Sequence, residues 1–157
     1  MKDEGKILSL TMIIIALGLV LDRITKKWAV ATLKGKDAIV VIKDFFGFEY
    51  LENRGAAFGM LQNKQWLFIT ITIIVIIFML GYLIKRKPTF KLTYISMALI
   101  IGGAIGNLID RIAYNYVIDF ILVHYKDIYY FPTFNVADML VCVGTFFLLI
   151  CILKDEI

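Results

Sequence analysis

Serine, histidine, cysteine and proline are all scarce in this chain. Among its 157 residues are two serines (Ser9 and Ser96), one histidine (His124), two cysteines (Cys142 and Cys151) and two prolines. Each shortage argues against a chemistry. Ser9 and Ser96 both lie inside apolar runs, with no base beside them to activate a hydroxyl. Cys142 and Cys151 sit in one apolar run, and nine residues of helix turn through about 900°. They therefore point to opposite faces, cannot bridge each other there, and read as small hydrophobes. One histidine assembles no zinc cluster, so no metal is expected. There is no phosphate-cradling glycine loop of the P-loop kind, and no cofactor is expected. Basic residues are not interleaved with loop aromatics, so the net charge of +4 does not point to nucleic acid.

What the chain has instead is apolar length. Hydrophobic residues make up 61% of it, against about 45–50% in soluble domains. A soluble fold this small could not hide that surface, so the class is integral membrane. Spanning a bilayer takes roughly 20 apolar residues. Four segments approach that: 7–31, 66–84, 92–109 and 136–153. The first is apolar only to Leu21 and continues past Asp22 as the amphipathic stretch RITKKWAVATL. Lys2, Lys6 and the Ala29-Val-Ala31 triplet mimic a cleavable signal peptide. Asp22, Arg23, Lys26 and Lys27 separate that triplet from the apolar core, and the segment reads as a retained anchor. The expectation is one membrane-embedded domain over 1–157, a bundle of four transmembrane helices.

The short link KRKPTFK at 85–91 carries four positive charges in seven residues. By the positive-inside rule it faces the cytoplasm, which puts both termini there as well and the other two connections outside. The first of these carries eight Lys/Arg in 44 residues, a lower density diluted by five acids. Within it, AIVVIKDFFGFEYLENRGAAFG alternates β-branched and aromatic residues and is broken by Gly47 and Gly55. That predicts a small β-rich platform over about 38–62, between helices 1 and 2, with Phe45, Phe46 and Phe48 able to touch lipid.

Charges at membrane depth are expensive to keep and are functional candidates by default. Asp22, Asp110, Arg111, Asp119 and Asp138 all fall at the outer ends of spans or in outer connections, so they converge on one layer. Each also has a plainer explanation. Asn135 and Asp138 fit a capping box. Asp119, in VIDF, has only apolar neighbours and could sit in an ordinary loop. Asp110 adjoins Arg111 and follows Asn107 by three, which suggests a polar network. Asp22 and Lys26 are spaced to pair along a helix. GGAIG at 102–106 would let another helix approach closely beside Asn107. Asn53 and Gly55 would suit a loop offering its backbone to a ligand, or a plain turn. With nucleophile enzymes disfavoured, a carboxylate pair remains. Two such groups can share a proton, one activating water and the other protonating the reacting carbonyl or leaving group.

The stretches DRITK (22–26), ENRGAAFG (52–59), GGAIGNLIDR (102–111), VIDF (117–120) and FNVAD (134–138), in that order, resemble the lipoprotein signal peptidase family, bacterial signal peptidase II. The likeness covers essentially the whole chain. It implies an aspartic endopeptidase of the bacterial cytoplasmic membrane, with its site near the extracytoplasmic face. The implied catalytic pair is Asp119 and Asp138. Asn53, Gly55, Asn107, Arg111 and Asn135 are implied to shape the site or hold substrate backbone, with Asp22 and Asp110 beside them. The implied substrates are diacylglyceryl-modified prolipoproteins, cut just before the lipidated cysteine. Membrane lipid is the other expected partner, and no obligate protein partner is expected. Three positions depart from the common pattern: Arg23 where Gln is frequent, Asn115 where Gly is common, and Met139 where a small hydroxyl residue is common. Asparagine tolerates left-handed backbone, so the turn at 115 can survive. Two alternatives use the same residues. A small proton-coupled transporter needs carboxylates at mid-depth or along a pathway across the bilayer. A non-enzymatic assembly factor would tolerate amide replacement of both aspartates.

Overall fold

The computed structural model describes residues 2–55, 61–126 and 128–156, with side chains from residue 5 onward. Four helices carry the apolar segments: α1 (Lys2–Leu33), α2 (Gln65–Arg86), α3 (Lys91–Tyr114) and α4 (Val136–Leu153). All four are long and apolar enough to cross a membrane. Four strands complete the chain: β1 (Ile39–Ile42), β2 (Phe46–Asn53), β3 (Val117–Tyr125) and β4 (Tyr129–Tyr130). They form one antiparallel sheet in the order β1-β2-β3-β4.

Helix α3 is the axis of the bundle, packed by α1, α2 and α4. Its small residues allow this. A Cβ on Gly103 would collide with the carbonyl oxygen of Ala137, and one on Gly144 would lie 2.7 Å from that of Ser96. Backbones of α3 and α4 therefore touch with no side chain between them, the usual device where lipid gives helices no hydrophobic reason to associate. Ile15 abuts Gly102 and Asp22 abuts Gly106, so α1 runs parallel to α3, while α4 runs antiparallel to it. Helix α2 is the opposite case. Trp66, Ile74, Ile77, Phe78 and Ile84 are exposed along it, and its buried residues are Gln65, Met79 and Leu83. A helix apolar all round with this little cover belongs in lipid.

Both termini and the α2–α3 link lie at one end of the bundle, where Thr93 Oγ1 donates to the carbonyl of Glu156 at 2.8 Å. The sheet lies at the other end. It differs from the sequence expectation in two ways. The platform is not confined to the connection between α1 and α2, because β3 and β4 come from the connection between α3 and α4. Asp119 accordingly sits within a strand, opposite Leu51 of β2, and not in a loop. The apolar neighbours that made VIDF look unusual are those of a strand buried on both faces, since Val117, Ile118 and Phe120 are all buried. Regular strand ends at Asn53, and positions 56–60 of the expected platform lie outside the described residues. Asn115 closes α3 at φ 60°, its N–H donating to the carbonyl of Arg111. It fills the left-handed capping position that glycine commonly takes.

Candidate active site

Asp138 lies in the first turn of α4, where Asn135 is the N-cap. The Asp138 N–H donates to Asn135 Oδ1 at 3.0 Å, and the Asn135 N–H donates back to Asp138 Oδ2 at 3.1 Å. This is the reciprocal capping box expected from the sequence. Asp119 reaches the same place from β3. Asn135 Nδ2 donates to Asp119 Oδ1 at 2.6 Å, and Asn53 Nδ2, from the end of β2, donates to Asp119 Oδ2 at 2.8 Å. Asn107 Nδ2, from α3, donates to Asp138 Oδ1 at 2.7 Å. Each of the four carboxylate oxygens thus has one neutral donor, and one residue, Asn135, ties the two aspartates together. A carboxylate oxygen has room for a further partner.

The amide orientations are determined by hydrogen-bond direction. Asn107 Oδ1 accepts from Lys26 Nζ at 2.9 Å and from Asn135 Nδ2 at 3.2 Å, so its NH₂ group has to face Asp138. Asn53 Oδ1 accepts the N–H of Gly55 at 3.0 Å, so its NH₂ group faces Asp119. Asp119 is 1% exposed. Burial, followed by the nearby charge of Asp138, pushes its carboxyl up to about 7, against the pull of the Asn53 and Asn135 donors. A group at that value exchanges protons near neutrality, as an acid–base catalyst must.

Asn53, Gly55, Asn107, Arg111, Asp119 and Asp138 line one cavity of about 460 Å³. Its remaining wall is largely apolar: Val117, the segment Phe131–Phe134, Met139 and Cys142. Arg111 lies over the ring of Phe68 at 5.0 Å, and its buried Nε has no hydrogen-bond partner among the described residues. A shallower groove of about 710 Å³ between α2, α3 and α4 shares Asn107, Arg111, Asp138 and Cys142 with this cavity and continues down past Val75, Val141 and Leu149. The polar end of the site therefore opens onto a lipid-facing apolar track.

Two residues named from the sequence stand apart. Asp22 and Asp110 do not line the cavity. They form a cluster behind it with Lys26, all three buried, and with Arg23, whose side chain is a quarter exposed. Asp110 Oδ2 also accepts the N–H of Ile118 at 3.2 Å, which anchors the strand just before Asp119. The polar network expected at Asp110 exists, but its cation is Arg23 together with Lys26 and not the adjacent Arg111. Arg111 instead turns to the ring of Phe68. Sequence reasoning also passed over Thr133, which lines the cavity and donates to Glu49 at 2.5 Å. Nothing local to FPTF marks it.

A four-helix apolar bundle thus carries a carboxylate pair, Asp119 buried and Asp138 partly so, on the wall of a cavity at one end. A family model described as Signal peptidase (SPase) II matches residues 14–154, and the chain belongs to that family of membrane aspartic-type peptidases. It is 57% identical over 145 residues to a lipoprotein signal peptidase of Clostridium tetani, covering 92% of this chain and 93% of that one. It is 51% identical over 144 residues to the lipoprotein signal peptidase of Clostridium novyi, covering 92% and 97%. A solved bacterial membrane enzyme superposes with a TM-score of 0.83 at 33% identity, covering 94% of this chain and 89% of that one. The transporter alternative finds no support: the aspartates cluster at one end, and the relatives are peptidases.

Proposed function

We propose that this protein removes signal peptides from diacylglyceryl-modified prolipoproteins, with Asp119 and Asp138 as its catalytic pair. The observation that carries this reading is that one residue, Asn135, holds both carboxylates, its side-chain amide donating to Asp119 and its backbone N–H to Asp138, on the wall of a cavity that opens to lipid. On this reading the pair holds one proton. The ionised member takes a proton from water, which attacks the carbonyl carbon of the bond before the lipidated cysteine. The protonated member donates to the carbonyl oxygen, giving a tetrahedral diol. The diol collapses as one of its hydroxyls returns a proton to the ionised member, the protonated member donates to the cysteine nitrogen, and the C–N bond breaks. The pair ends with the one proton it began with.

The fixed amides of Asn53, Asn107 and Asn135 keep both carboxylates oriented without neutralising them, since none carries charge. Arg111, with an unsatisfied donor in the cavity wall, suits a substrate backbone carbonyl. The groove along α2, α3 and α4 suits the apolar signal segment or an acyl chain. Positive residues at 85–91 support a cytoplasmic position for that end of the bundle. The site then sits at the outer face of the bacterial cytoplasmic membrane, where a lipid-anchored scissile bond would lie.

The test is cleavage of a diacylglyceryl-modified prolipoprotein by the purified protein in detergent. Wild type is run beside Asp119→Asn and Asp138→Asn, and signal-peptide release is read on a gel. Wild-type cleavage lost in both folded variants supports the pair. Cleavage that survives either replacement removes that residue from it. A wild type that cuts nothing carrying the lipid overturns the function.

A further inference from the structure

We propose that Arg23 is a positioning residue for the reacting pair, acting through Lys26 and Asn107. The proposal rests on the reading of Asp119 and Asp138 as the reacting groups. Its basis is how Arg23 and Lys26 divide the two carboxylates behind the cavity. Arg23 takes one oxygen of each: Nη2 donates to Asp22 Oδ2 at 2.6 Å, and Nη1 donates to Asp110 Oδ1 at 2.7 Å. Nε adds a second contact to Asp22 Oδ2 at 3.2 Å, and Nη2 also donates to the carbonyl of Gly106 at 2.9 Å. The planar fork of a guanidinium can serve both acids at once.

Lys26 lies between the remaining oxygens. It is 3.0 Å from Asp22 Oδ1 and 2.8 Å from Asp110 Oδ2. The first is an ion-pair distance without hydrogen-bond alignment, because Asp22 Oδ1 receives no hydrogen bond among the described residues. The ammonium does make an aligned hydrogen bond, at 2.9 Å, to Asn107 Oδ1. With Arg23 supplying the second positive charge, two acids meet two cations and Lys26 can direct that bond outward. Without Arg23, one cation faces two buried carboxylates. Lys26 is then drawn onto them, and the bond that fixes the Asn107 amide weakens. A free amide can turn its oxygen toward Asp138, where it repels the carboxylate it should hold.

The charged groups facing the reacting pair are Lys26 from α1 and Arg111 from α3, with Asp22, Arg23 and Asp110 behind them. β2 offers the neutral Asn53, while its Glu52 is engaged by Lys34 and Arg54 and its Glu49 by Thr133. In α4 the charge is Asp138 itself. Removing Arg23's charge therefore acts on the pair in one direction, making the surroundings more negative and ionisation harder.

The experiment compares wild type, Arg23→Gln and Arg23→Lys as full-length proteins in lipid nanodiscs. Two readouts are used: pH–rate profiles on a diacylglyceryl-modified prolipoprotein, and infrared titration of the Asp119 carboxyl band without substrate, assigned by subtracting Asp119→Asn. Arg23→Gln should lose about tenfold in kcat with KM within about twofold, as expected for misplaced reacting groups. Both limbs of its profile and the Asp119 band should move up by roughly half a pH unit, the direction and size expected when one positive charge behind the pair is lost in a medium between protein and water. Arg23→Lys keeps the charge and loses the fork, so it should keep the wild-type limbs and band at a reduced kcat. A folded Arg23→Gln that titrates with wild type overturns the proposal. If Arg23→Gln does not fold, Arg23→Lys decides: unchanged kcat overturns the role of the fork. If wild type cuts no substrate, the function falls, while the infrared titration still reports on the positioning.

Discussion

The sheet end of this bundle holds two pairs of aspartates built in opposite ways. Asp22 and Asp110 meet two cations, and their oxygens are taken up by charge-to-charge contacts. Asp119 and Asp138 meet three asparagine amides and a backbone N–H. The first pair is locked and lies behind the cavity, and the second is oriented and lines it. On the proposed reading, the same side chain serves structure or chemistry according to whether its partners are ionic or neutral. Ion pairs cancel a carboxylate's charge. Amides orient it and leave a proton free to move.

The largest expected effect breaks the reacting pair. Asp119→Asn and Asp138→Asn should each lower cleavage by roughly 10³-fold or more, since proton transfer in both directions is lost. Single-turnover release of signal peptide measures this. Asp110→Asn should act differently, leaving buried Lys26 and half-buried Arg23 short of a partner. Breaking a buried ion cluster by removing one member costs about 3–5 kcal/mol, read as a lower midpoint in thermal unfolding in detergent. If Asp110→Asn unfolds with wild type and merely stops cleavage, the division into two pairs is wrong.

Asn135→Ala sharpens the comparison, because this residue caps α4 and orients both reacting aspartates. Loss of the cap costs about 1 kcal/mol of stability, while activity should fall about 100-fold, far more than that stability loss explains.

The pH dependence follows from Asp119. Its carboxyl is raised from the ordinary value near 3.8 to about 7 by burial and by Asp138. Between those values the folded state binds a proton that the unfolded state has released, so stability falls as pH rises through the window. Asp119→Asn should remove that slope, and unfolding midpoints taken from pH 4 to 8 would show it. The smallest effect is at the turn after α3. Asn115→Gly should be neutral within about 0.5 kcal/mol, while Asn115→Val should cost about 1–2 kcal/mol, because a β-branched residue resists φ 60°. Unfolding midpoints distinguish these outcomes too.

Much of this molecule is legible from its residues. The last span, 136–153, coincides with α4, and the capping box at Asn135 and Asp138 is present as read. Both depend on interactions within a few residues of each other, where sequence spacing is distance. The close approach at GGAIG is also present, with Asp22 and Ala137 against Gly106. What spacing did not reveal is long-range. The strand carrying Asp119 pairs with one from the other connection, because sheet pairing is set by which edges the helices bring together. Arg23, merely an unusual neighbour of Asp22 in the sequence, reaches Asp110 across the helix interface.

The sequence by itself determined that four helices lie in a membrane and that their costly charges gather at one end. Apolar length and the expense of buried charge are properties of the segments themselves. Only the tertiary structure decided which aspartates meet cations and which meet amides. That choice depends on side chains of α1, α3, β2 and α4 arriving within 3 Å of one another, and packing alone sets such distances.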